Sequence, residues 1–61
     1  MTAPSVGAVV TIDRGLVRYR VLDVYALSGT RVAVLRALPG GAPGVRHVAT
    51  SRLTVHEEAA A

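Results

Sequence analysis

The chain contains no cysteine, lysine, asparagine, glutamine, phenylalanine or tryptophan, and only one isoleucine, Ile12. Without cysteine it can form no disulfide and offers no thiolate to a metal. Its 61 residues must hold together by packing or by association. The missing cysteine suits a reducing cytoplasm and a virus particle equally. No run approaches the ~20 apolar residues that a membrane span needs. Met1-Thr2-Ala3-Pro4-Ser5 has no basic opening followed by an apolar stretch, so no signal peptide is expected. The expected location is the cytoplasm or a virion, with no membrane partner.

What is present is apolar and basic. Hydrophobic residues make up 51% of the chain and the mean hydropathy is +0.42. A single domain this small buries only ~60% of the surface its unfolded chain exposes. Some apolar side chains must therefore lie outside the core, and contiguous apolar surface marks interfaces. The net charge is +3 and all seven cations are arginine. The missing Lys, Asn and Phe and the single Ile correspond to AT-rich codons. Arginine in place of lysine thus carries the stamp of a GC-rich genome as well as any role in binding phosphate.

Five short β segments fill the chain: 8–12, 18–25, 31–36, 45–49 and 53–55. Each is bounded by Gly, Pro, Asp, Ser or Thr, and the spacing leaves room for hairpins. Asp13-Arg14-Gly15 reads as a turn with glycine supplying the positive φ, and Ser28-Gly29-Thr30 as the next turn. Leu38-Pro39-Gly40-Gly41-Ala42-Pro43-Gly44 is a hairpin loop, with Gly40 to Gly44 as its flexible tip. Thr50-Ser51-Arg52 is a single 3₁₀ turn before the last strand. In the second segment, Val21 and Val24 both point inward only if an extra residue is absorbed near Asp23, which predicts a β-bulge. The expected core is Val10, Ile12, Tyr19, Val21, Val24, Val32, Val34, Val48, Leu53 and Val55. The fold class is all-β, a five-stranded small barrel, since a short sheet covers its apolar face by curling and closing.

The order of hairpin, hairpin, 3₁₀ turn and short last strand resembles the SH3-like small barrel. The residues that carry the likeness are Gly7-Ala8-Val9-Val10, Tyr19-Arg20-Val21-Leu22-Asp23-Val24, Arg31-Val32-Ala33-Val34 and Val48-Ala49-Thr50-Ser51-Arg52-Leu53. The resemblance covers residues 7–56 and implies a barrel there; the residues themselves read as a flexible lead-in over 1–6 and a tail over 57–61. It is to the small stand-alone SH3-like proteins of GC-rich bacteria and their phages, and such a likeness of fold does not assign function. The residues argue against the named branches of that fold. Polyproline binding needs an aromatic groove with acidic neighbours, and methyl-lysine binding needs an aromatic cage. Tyr19 and Tyr25 are the only aromatic rings of Phe, Tyr or Trp type.

No catalytic constellation is present. His47 and His56 lie on different segments without a third ligand, so no metal or cofactor is expected. Ser5, Ser28 and Ser51 sit in turns or breaks, none in a nucleophile elbow. Among the carboxylates, Asp13 belongs to a turn, Asp23 serves the bulge or a neighbouring arginine, and Glu57 and Glu58 lie in the tail; none forms an acid–base pair. The glycine-rich loop lacks the Gly-Lys-Ser/Thr and the helix of a P-loop. No small-molecule substrate is evident.

Two readings remain. The first is a non-enzymatic interaction or assembly module, such as a phage or prophage virion accessory protein that decorates a capsid or sits in its connector region. Its partner is a protein or a second copy, and Leu35, Leu38 and Val45 form the interface. The alternative is a nucleic-acid-binding barrel in which Arg18, Arg20, Arg31 and Arg36 cluster on one outer face and contact phosphates. That face lacks the interleaved aromatics on which single strands stack. Arginine without lysine suits a protein interface.

Overall fold

The computed structural model describes residues 4–39 and 43–58. The sheet strands are β1 (Val9–Ile12), β2 (Tyr19–Leu27), β3 (Thr30–Ala37), β4 (Val45–Ala49) and β5 (Leu53–Glu57), with a 3₁₀ turn at Thr50–Arg52 before the last. All five join one antiparallel sheet in the order β4-β3-β2-β1-β5. Among the described residues there is no α-helix.

The expected barrel is not closed by hydrogen bonds. β4 and β5 are the two edges of the sheet, and β5 takes β1 as its neighbour. The 3₁₀ turn carries the chain from one edge to the other, and its end is tied to β1, where the Asp13 N–H donates to the Arg52 carbonyl at 2.7 Å. One apolar cluster nevertheless draws on the whole sheet. Ala8, Val10, Val21, Ala33, Leu35 and Val48 are buried in it, and Ile12, Tyr19, Val24, Leu53 and Val55 pack against them.

The bulge forms where the sequence places it. Val21 pairs with Leu35 and Asp23 with Val34, which leaves Leu22 as the extra residue. The Asp23 carboxylate accepts the Val24 N–H at 2.9 Å and so satisfies the bulged backbone. A second irregularity, not foreseen, lies on β5. Val9 pairs with Glu57 and Val10 with Val55, leaving His56 unmatched.

The faces of β3 are the reverse of the expected ones. Partners directly opposite one another share a face of the sheet. Val21 opposes Leu35, and Val24 opposes Ala33, which opposes Val48. Ala33 and Leu35 have no exposed surface, whereas Val32 and Val34 are half-buried on the outer face.

Two turns also differ in detail. Asp13, not Gly15, takes the left-handed conformation (φ 52°), and the Gly15 N–H donates to the Ile12 carbonyl at 2.8 Å. Aspartate tolerates that region better than most side chains. Leu27 pairs with Thr30, so the β2–β3 turn has only two central residues, Ser28 (φ 50°) and Gly29 (φ 80°). Positive φ at both is the primed turn whose twist matches a hairpin. Of the expected lead-in only residues 4–6 are described: Pro4 is buried, Ser5 and Val6 are exposed, and the Ser5 carbonyl accepts the Ala8 N–H at 3.0 Å. The loop tip at 40–42, the first three residues and the tail at 59–61 lie outside the described residues.

Candidate interaction surface

The outer face of β2, β3 and β4 is built from three rows of side chains. The register aligns Arg20 with Arg36 and Val45, then Asp23 with Val34 and His47, then Tyr25 with Val32 and Ala49. Leu22 projects beside the first row at the bulge, and Leu27 follows Tyr25 by one alternation. The face is strongly apolar for an exposed one: Leu22, Tyr25, Leu27 and Val45 are all exposed, with Leu27 at 61% and Val45 at 53%.

A polar bridge crosses this face. The Tyr25 hydroxyl and His47 Nδ1 lie 2.9 Å apart, and the two rings meet edge to face with centroids 5.8 Å apart. Tyr25 is on β2 and His47 on β4, so the pair spans β3 over Val32 and Val34. This explains why two outward valines are only half exposed.

At the end of the face nearest the β3–β4 connection lies a groove of about 330 Å³ lined by Arg20, Leu22, Arg36, Ala37, Leu38 and Pro39. Arg20 and Arg36 are directly opposed in the ladder, and like charges so placed repel. Arg20 Nη1 donates to the Gly7 carbonyl at 2.9 Å, which fixes its guanidinium and leaves further N–H donors free. Val9, its cross-strand neighbour, is buried yet outside the core cluster. Among the described residues the one ion pair is Asp13–Arg52, and no carboxylate sits within ion-pairing distance of Arg18, Arg20 or Arg36.

A second groove, of about 270 Å³, opens at the end of β1 between the β1–β2 loop and the inner face. Leu16, which stands 95% exposed at its rim, is a further apolar position that alternation alone did not single out. Arg46 lies in line with Leu35 on the inner face and donates from Nη1 to the Tyr19 hydroxyl at 3.3 Å. The Asp13 carboxylate receives Arg52 Nη2 at 2.7 Å and Nε at 3.2 Å. That hydrogen bonding holds the Asp13 carboxyl below its ordinary value, aided by the guanidinium charge and opposed by loss of hydration, and raises Arg52. The pair fastens the 3₁₀ turn to β1.

The anticipated site residues divide accordingly. Leu38 and Val45 lie on or beside the outer face, half-buried and exposed respectively. Leu35 is a correction: it is completely buried in the core and cannot meet a partner in this fold. Arg20 and Arg36 come together, and Arg18 shares their face by alternation, its carbonyl accepting the Leu38 N–H at 3.0 Å. Arg31 is a second correction. It pairs with Ala26 on the opposite face, toward the Ser28-Gly29 turn, and leaves the basic cluster. The Tyr25–His47 bridge went unforeseen because it joins diagonal positions on strands that are not neighbours. His56 is also engaged: its Nε2 lies 2.9 Å from the hydroxyl of Thr11, the buried polar side chain of β1. The two histidines stand on opposite edge strands, and no group of three metal-ligating side chains occurs among the described residues.

No protein-family model matches this chain, and neither does any curated protein or solved structure.

Proposed function

We propose that this protein is a non-enzymatic interaction module that docks onto another protein of a larger assembly through the outer face of β2–β3–β4. The observation that carries this reading is the composition of that face. Leu22, Leu27 and Val45 are exposed there beside Tyr25, and the arginines at its border have no carboxylate partner among the described residues. Exposed apolar surface rimmed by polar groups is the anatomy of an interface, and arginine and tyrosine are the residues enriched in one. An SH3-like barrel is the fold we assign. The strand order, the two hairpins and the 3₁₀ turn ahead of β5 support it. The nucleic-acid reading keeps Arg18, Arg20 and Arg36 but loses Arg31. Tyr25 is the one tyrosine on this face among the described residues, and its hydroxyl is tied to His47, so the face lacks the interleaved aromatics on which bases stack.

The test is co-purification from the source cells, comparing wild type with Leu27→Asp, Val45→Asp and Arg31→Gln. A partner retained by wild type and Arg31→Gln but lost by both aspartate variants supports docking through this face. A chain that retains nothing and sediments as a monomer at every concentration contradicts it.

A further inference from the structure

We propose that the Arg20–Arg36 groove binds an acidic, leucine-bearing extended segment of the partner protein; this rests on, and sharpens, the docking reading above. Three features select that chemistry. First, Arg20 and Arg36 are cross-strand partners in the ladder and both line the groove, with no carboxylate within ion-pairing distance of either among the described residues. An anion bound in the groove offsets the repulsion between these like charges and gains charge-assisted hydrogen bonds from them. Second, Arg20 is already fixed by the Gly7 carbonyl, so little of its side-chain freedom is lost when the ligand arrives. Third, the remaining walls are Leu22, Ala37, Leu38 and Pro39, which suit an aliphatic side chain beside the acid rather than a hydrated sugar–phosphate. A carboxylate flanked by leucine meets all three demands. The chain's own net charge of +3 favours an acidic partner over a second copy of itself.

The experiment is a fluorescence-anisotropy titration of the full chain at about 50 mM salt, where screening is weak. The probes are a labelled acetyl-Ser-Leu-Glu-Glu-Leu-Ser-amide peptide, its Gln-Gln counterpart and an eight-nucleotide thymidine strand, with inorganic phosphate as competitor. Saturable binding of the Glu-Glu peptide alone is expected. Arg20→Gln and Arg36→Gln should each weaken it about tenfold or more, as loss of a charge-assisted hydrogen bond does. Leu38→Ser should weaken it several-fold, and Arg31→Gln should leave it unchanged. Arg36→Glu, which relieves the repulsion, should fold at least as well as wild type and yet not bind. Equal binding of the two peptides, an Arg31→Gln defect equal to that of Arg36→Gln, binding of the oligonucleotide alone, or no binding at all would each overturn the proposal. If the peptide fails while Leu27→Asp and Val45→Asp still abolish partner retention, the docking face stands and only the acidic ligand falls. If both fail, both readings fall.

Discussion

Leu35 and Val34 are neighbours in sequence with opposite situations. Leu35 has no exposed surface and is among the largest fully buried side chains, while Val34 lies half-buried under the Tyr25–His47 bridge. Leu35→Ala should cost about 2–5 kcal/mol, as core leucine truncations do, and Val34→Ala well under half of that. Denaturant midpoints of the two variants check this, and equal shifts would mean that the β3 faces are misassigned. At Asp13 the relevant change is pH. Its folded carboxyl lies below its ordinary value because of Arg52, so its contribution is present above the ordinary carboxylate range and is lost as pH falls through the folded value. Asp13→Asn removes the charge but keeps a side chain that tolerates positive φ. The stability gap between wild type and Asp13→Asn should be greatest near neutrality and narrow as pH drops below about 4. A gap that widens in acid would contradict the assignment.

The elements follow from local chemistry, and their errors have local causes. Alternation located all five strands, and the Val21/Val24 pair located the bulge, because both signals act within one strand. The phase of β3 was not visible in its own residues, since both of its faces are apolar: Val32 and Val34 on one, Ala33 and Leu35 on the other. The turn contains the missing information. With two central residues, Ser28 and Gly29, Leu27 faces Thr30, and stepping back three residues on each side brings Val24 opposite Ala33. Reading Thr30 as part of the turn left that register open. The same turn gives a prediction. Gly29 sits at φ 80° with open space around it, so Gly29→Ala should cost about 1–2 kcal/mol from the backbone alone. Ser28→Asn should stabilise by about 0.5 kcal/mol or more, since Asn-Gly is the preferred pair for a primed turn. Thermal or denaturant melts of both variants test the turn type. In the neighbouring ladder, Arg36→Glu converts a repelling pair into an attracting one. It should stabilise the free chain by up to about 1 kcal/mol at low salt, an effect that fades as salt is added.

At the scale of the whole molecule, the high apolar content is distributed rather than hidden. The inner face of the sheet closes on one small core, and the excess appears as Leu22, Leu27 and Val45 on the outer face and Leu16 at the β1 end. Composition announced that excess but not its position, because which face a residue occupies depends on the bulge and the turn together. The same dependence removed Leu35 and Arg31 from the expected site and brought Arg20, Arg36, Leu38 and Val45 to one region. Edge strands β4 and β5 remain without outer neighbours, and β4 borders the proposed docking face. The most direct test of that face is photo-crosslinking in the source cells, with a photoreactive amino acid placed at Val45 in one variant and at Thr54 of the opposite edge strand in another. A discrete crosslink is expected from position 45 to an acidic region of one partner protein, strongly reduced by Arg36→Gln, and none to that partner from position 54. Equal crosslinking from both positions, or a position-45 product joined to nucleic acid, would contradict it.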